Sequence, residues 1–248
     1  RLLRRMKDAV VELEPKSGEH VSIPVPMSKD QEQLYDAVLA NRPEGGGALG
    51  TLHRLFMACS CPGALADGLT NPKLDWLVSV LTDIQARQEK VLVFAEWYAL
   101  QCAIIGAVER RFGVTVERIN GKVQASRRLQ LVNAFNQASG FQVMVLGPKA
   151  AGVGLNLTGA NHVVHFTRHW NPAIEAQATD RAYRIGQTRP VHVYLPTMVH
   201  SGRESIEQSL HVLLREKRSL AADIVVPTSQ LGVGAALEQR VLGRVNAV

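Results

Sequence analysis

Beyond Lys90 the chain alternates short apolar runs with amphipathic stretches, and that rhythm constrains its fold more than any other feature. "KVLVFA" (90–95), a short segment at 114–119, "FQVMVL" (141–146), "HVVHF" (162–166) and "VHVYL" (191–195) read as strands. "KVLVFA" is apolar on both sides of the pleat, which suits a strand buried on two faces. The intervening stretches read as helices, one ending near Phe112, one holding Leu129, Val132 and Phe135, and one following "RHWNP" (168–172). Strands and helices alternating at this pace predict an α/β fold, a parallel sheet sandwiched by helices.

The first 70 residues break the rhythm and read as an irregular, helix-rich leader. Ser28-x-x-Gln31 is a capping box ahead of Leu34, Val38 and Leu39. "NRPEGGG" (41–47) is a loop, 48–60 a short apolar helix stopped by Pro62-Gly63, and Asn71-Pro72 the N-cap and first position of the next helix. A last helix is expected at about 203–221, with Ile206, Leu210, Leu213 and Leu214 on one face; the tail beyond it is weakly patterned. The resulting division is 1–70, 71–200 and 201–248.

With 46% hydrophobic and 20% charged residues the chain is globular rather than disordered. A net charge of +6 suits an anionic partner such as nucleic acid. Three cysteines, odd in number and sparse, favour reduced thiols, and Cys59-x-Cys61 lacks the second pair of a zinc site. No apolar run approaches the roughly 18 residues of a membrane span, so no membrane role is expected. The chain opens on Arg1, which reads as a piece of a longer protein.

Several motifs lack their required context. Residues 45–50, "GGGALG", match a dinucleotide fingerprint but follow Pro43-Glu44 rather than a strand, and Thr51 stands where a P-loop needs lysine. His162 and His165 would project from opposite faces of one strand, which spoils a metal set with His169. No Asp-Glu pair is present to hold magnesium.

"QATDRAYRIGQ" (177–187) carries more weight. Helical spacing would put Gln177, Arg181 and Arg184 on one face of a helix closed by Gly186. A solvated face balanced by Glu175 and Asp180 is the simple alternative. Two guanidinium forks also match the oxygens of a phosphoryl group and could offset charge on a transferring γ-phosphate. "GPKAAGVGLNL" (147–157) follows a strand, and Gly152 and Gly154 would let backbone N–H groups approach a phosphate, or simply make a tight turn. Trp170 precedes Asn171-Pro172 and would stack on a nucleotide only if it is exposed rather than packed.

Taken in order, these segments resemble the second RecA-like lobe of Swi/Snf-type ATPases, DNA translocases of the second helicase superfamily. "KVLVFAEWYALQ" is similar to their motif IV, "INGKVQASRRLQLVNAFN" to the segment after it, "GPKAAGVGLNL" to motif V and "QATDRAYRIGQTRPVHVY" to motif VI. "LLRRMKDAV", "IPVPMSKDQEQLY" and "LHRLFMACSCP" resemble the end of the first lobe and its linking helices, and "SIEQSLHVLLREKRSLA" a bracing helix. The resemblance implies a RecA-like sheet preceded by a helical linker or protrusion. It implies Arg181 and Arg184 as arginine fingers, with Gln177, Asp180, Gly152 and Gly154 on the ATP face. Lys149, Asn156, Trp170, Asn171 and, more weakly, Arg127 would face DNA. The implied partners are ATP with Mg2+ held mainly by a preceding RecA-like lobe, double-stranded DNA, and a protein or nucleoprotein substrate. Without the P-loop lysine and acidic pair, this chain alone is expected to be inactive.

The sequence departs from the family where Gly147-Pro148 replaces a Ser-Thr pair, Ala151 a glycine and Thr167 a frequent aspartate. The turn variant resembles bacterial members, implying a cytoplasmic, nucleoid-associated setting rather than a nuclear one. A non-catalytic nucleic-acid-binding or regulatory module and a strand-separating helicase are the competing functions.

Overall fold

The computed structural model describes residues 16–17, 22–41, 47–149, 154–223 and 232–243, with the backbone alone at 16–17 and 218–223. The strands are β1 (Lys16–Ser17), β2 (Ser22–Pro26), β3 (Lys90–Phe94), β4 (Glu117–Ile119), β5 (Gln142–Leu146), β6 (His162–His165) and β7 (Val191–Val199). The helices are α1 (Lys29–Ala40), α2 (Ala48–Ser60), α3 (Pro72–Ala86), α4 (Tyr98–Phe112), α5 (Ala125–Gln137), α6 (Pro172–Thr179), α7 (Ile206–Asp223) and α8 (Val233–Val241). All pairings are parallel, in the order β1-β7-β6-β3-β5-β4, and β2 adds to β7 further along that long strand. This is the α/β, RecA-like sheet that the apolar runs imply.

Period-two alternation divides the sheet's residues between two cores. Leu92, Phe94, Met144, Leu146 and Val163 face α5, α6 and the segment after it. Val91, Val93, Val143, Val145 and Val164 face α3 and α4. Both sets are buried. A third core lies off the sheet, where Val25, Tyr35, Leu52, Leu55, Ile206, Leu210 and Leu237 join β2, α1, α2, α7 and α8.

The leader is more ordered than the sequence suggests. β2 falls in the stretch expected to be irregular; its Pro24 and Pro26 are tolerated because it pairs with β7 on one side only. The Ser28 half of the capping box forms, its Oγ accepting the Gln31 N–H at 3.2 Å. Gln31 does not reach back; its Nε2 donates to the carbonyls of Ala58 and Cys59, at 2.7 and 3.1 Å, ending α2. Asn71 caps α3 as expected, its side chain accepting from the Leu74 N–H. α8 arises from the weakly patterned tail, its Val233, Leu237 and Val241 buried on one face. Among the described residues no helix is long and apolar enough to cross a membrane.

Buried charge joins the third core to the sheet. Lys73, at the start of α3, places Nζ 2.6 and 2.8 Å from the two carboxylate oxygens of Glu207 on α7. Glu207 also accepts from Ser60 Oγ at the end of α2 and from the Met198 N–H of β7. The two side chains are 0% and 3% exposed, so the pair depends on those added hydrogen bonds.

Candidate functional site

The arginines do not share a helical face with Gln177. α6 stops at Thr179, and Asp180 is its C-cap. Beyond it the backbone makes tighter bonds, Arg181 N–H to Ala178 O and Ala182 N–H to Thr179 O. The Arg181 carbonyl accepts from the Leu157 N–H at 2.9 Å, and the Ala182 carbonyl from Gln187 Nε2 at 3.2 Å. One further helical bond, from the Tyr183 N–H to the Thr179 carbonyl at 3.1 Å, precedes the departure of the chain from the helix. Gly186, at φ +100°, turns the chain but does not close the helix.

The turn's position follows from the sheet. β6 and β7 are parallel neighbours, so α6 must run back from the carboxyl end of β6. The arginine turn is fastened to residues 157–160, which lead into β6, and stands toward the amino end of that strand. It is not at the carboxyl ends of the strands.

Arg181 is half-buried and Arg184 exposed. Arg181 Nη1 lies 3.5 Å from the Leu155 carbonyl, a marginal contact. Its buried Nε–H has no partner among the described residues. Burial, and then the neighbouring Arg184 cation, pull the Arg181 guanidinium below its ordinary value; Asp180 opposes them. A guanidinium stays charged regardless, so the turn holds two adjacent cations and a donor without an acceptor.

Around Arg181 the structure gathers Gly154, in the left-handed region at φ +54°, Leu155 and the exposed Asn156. These residues line a hollow of about 320 Å³ against Arg128, Asn133 and Asn136 of α5. Gln177 is exposed on α6. Gly152 lies outside the described residues.

A second group forms at the carboxyl ends of β3, β5 and β6, where ligands of parallel sheets bind. Lys149, Glu96, His169 and Trp170 meet Leu49 and His53 of α2 around a hollow of about 580 Å³. Trp170 is half-buried, its ring 5.9 Å from Phe56 on one side and 3.3 Å from the place a Cβ would take on Gly234 of α8. It is packed, with part of its edge in the hollow. Asn171 caps α6, its side chain accepting from the Ala173 N–H. Arg127 stands apart on α5, exposed and 3.9 Å from Glu117.

Two buried contacts fix the turn before α6, and neither was read from the sequence. Arg168 donates Nε and Nη2 to the Glu175 carboxylate at 2.6 and 2.9 Å, and Nη1 to His211 of α7 at 3.0 Å. Thr167 Oγ1 accepts from the Glu96 N–H at 3.0 Å, so it engages the protein's own backbone. The histidines separate as the strand period requires: His162 bonds Glu89 and Tyr194, and His165 bonds Thr179. Among the described residues no group of three His, Cys, Asp or Glu could hold a metal.

Residues 72–186 match the model of the helicase conserved C-terminal domain. The chain is 38% identical, over 92% of its length, to the Zorya protein ZorD of Escherichia coli O139:H28. It is 35% identical, over 90%, to a putative ATP-dependent helicase/translocase, YwqA, of Bacillus subtilis. It spans 23% and 26% of those two proteins. The Sulfolobus solfataricus SWI2/SNF2 ATPase core in complex with dsDNA superposes with a TM-score of 0.70 at 27% identity, over 91% of this chain and 49% of that one. The C-terminal part of the Fun30 ATPase domain shares the fold, with a TM-score of 0.72 at 20% identity, covering 94% of this chain and all of that one. The chain therefore belongs to the helicase C-terminal family, as a second RecA-like lobe of the Swi/Snf type.

Proposed function

We propose that this chain is the C-terminal half of a DNA-dependent ATPase that translocates on double-stranded DNA, and that Arg181 and Arg184 are its arginine fingers. The observation that carries the reading is the buried Nε–H of Arg181, without a partner among the described residues, beside a second guanidinium. A phosphoryl group is the ligand whose geometry and charge answer both. Bound ATP with Mg2+ supplies the phosphoryl transfer. Here Arg181 and Arg184 offset charge on the transferring group, while Gln177, Asp180 and the glycines at 152 and 154 shape that side of the cleft. The P-loop, the acidic pair and the metal belong to a preceding lobe.

Lys149, Asn156, Trp170 and Asn171 form the DNA side, with Arg127 at its margin. The support is the meeting of Lys149 and Trp170 at the carboxyl ends of the strands, the net charge of +6 and the DNA-bound relative; Asn156 lies apart, on the hollow against α5. Residues 71–200 serve as the lobe proper, and 1–70 and 201–248 as linking and bracing segments whose helices share one core.

The test is Arg184→Ala in the full polypeptide. ATP turnover should fall by roughly 10³ or more with ATP binding largely kept. Near-normal turnover would sink the assignment, and strand displacement in the same assays would replace translocation with unwinding.

A further inference from the structure

We infer that Gln187 is a positioning residue for the two arginines, an inference that rests on the role just given to Arg181 and Arg184. The regular helix ends at Thr179 and only a few backbone bonds follow, the last helical one from the Tyr183 N–H to the Thr179 carbonyl, so side-chain contacts are needed to hold the rest of the arginine turn. Gln187, 8% exposed, does so with one amide. Its Nε2 donates to the carbonyls of Ala160 at 2.7 Å, Thr158 at 3.2 Å and Ala182 at 3.2 Å, and its Oε1 accepts from the Arg189 N–H at 3.0 Å. Two of those carbonyls belong to the loop before β6 and one to the arginine turn itself.

Two further bonds complete the attachment. The Leu157 N–H donates to the Arg181 carbonyl at 2.9 Å, and Arg189 Nη2 to the Gly159 carbonyl at 2.8 Å. Residues 157–160 and 181–189 are thus stitched together at both ends, with both arginines in the interval. The loop is itself anchored to α5, where Asn136 donates to the Asn156 carbonyl at 2.8 Å and accepts from the Gly159 N–H at 3.0 Å. Rigid support of this kind matters because a misplacement of about 1 Å can cost on the order of 10²-fold in rate.

The side chain is chemically specific. It must offer an NH2 to carbonyls and a carbonyl to an N–H, at the length of glutamine. Methionine keeps the shape but loses every bond and leaves buried carbonyls unsatisfied; glutamate would set a carboxylate against carbonyl oxygens.

The experiment is a double-mutant cycle in the full polypeptide, using Gln187→Met, Arg184→Ala and the pair, followed by single-turnover ATP hydrolysis and steady-state kinetics. Gln187→Met should lower kcat by about tenfold to a hundredfold, with KM for ATP changed less than about threefold and the protein folded at the assay temperature. Added to Arg184→Ala, it should lower the rate by clearly less than it does alone, because only Arg181 is then left for it to position. Gln187→Asn keeps the amide one methylene shorter and should show the same split if the methionine variant does not fold. A full, additive loss in the Arg184→Ala background would overturn the inference. So would an unchanged kcat accompanied only by a lower unfolding midpoint. Near-normal turnover in Arg184→Ala alone would instead fail the arginine assignment itself.

Discussion

Single residues here set both stability and its response to acid. Burial, opposed by the hydrogen bond that His162 makes to the Glu89 carboxylate, takes the His162 imidazole down from the ordinary 6.5 to about 4. The unfolded chain therefore binds a proton near pH 6.5, while the folded one stays neutral until about 4. Stability is full above that window and falls as pH drops through it, by roughly 3 kcal/mol in all. Glu89, held below its usual value by bonds to His162 and Asn161 that outweigh its burial, adds a loss of the same sign at lower pH. Urea unfolding of His162→Gln at several pH values should show a flatter slope across the window; an unchanged slope would locate the acid sensitivity elsewhere. Lys73 is the second case. Lys73→Ala leaves the Glu207 carboxylate buried without its cation and should cost about 3–5 kcal/mol in chemical denaturation, whereas exchanging both for apolar residues should cost much less.

At the level of elements, legibility followed local periodicity. β3 and β5 were readable because burial on both faces leaves a nearly uninterrupted apolar run. β2 was not, since its prolines cannot donate to a ladder and only the edge of β7 gives it a partner. The helix after "RHWNP" was found, but its end was misplaced. The turn beyond it is held by a side chain eight residues past Thr179 and a backbone N–H from 157, contacts that no local pattern encodes. For the same reason the residue types of the site were legible and their placement was not. α8 tests how elements depend on one another. In Gly234→Val, branched bulk enters where a bare Cβ already meets the Trp170 ring at 3.3 Å. We expect a loss of about 1–3 kcal/mol and faster proteolysis at α8, with β3 to β7 still protected in hydrogen exchange. Equal protection of α8 in the variant and the parent would contradict this packing.

For the whole molecule, the expected behaviour is that of a partner rather than a complete catalyst. The 248-residue chain alone should show no DNA-stimulated ATPase activity, and it should bind duplex DNA weakly and in a salt-sensitive way, with a slope that reflects few phosphate contacts. Robust turnover by this chain would refute the division of labour. The third core adds a mechanical reading. β2 lies parallel and in register with the second half of β7, from Ser22 opposite Leu195 to Pro26 opposite Val199. Tension arriving along the chain at Ser22 would load that ladder in shear, so that its bonds share the force instead of parting one by one. Traction from a preceding segment would thus enter the sheet through its longest strand, and the molecule would answer a pull as one body.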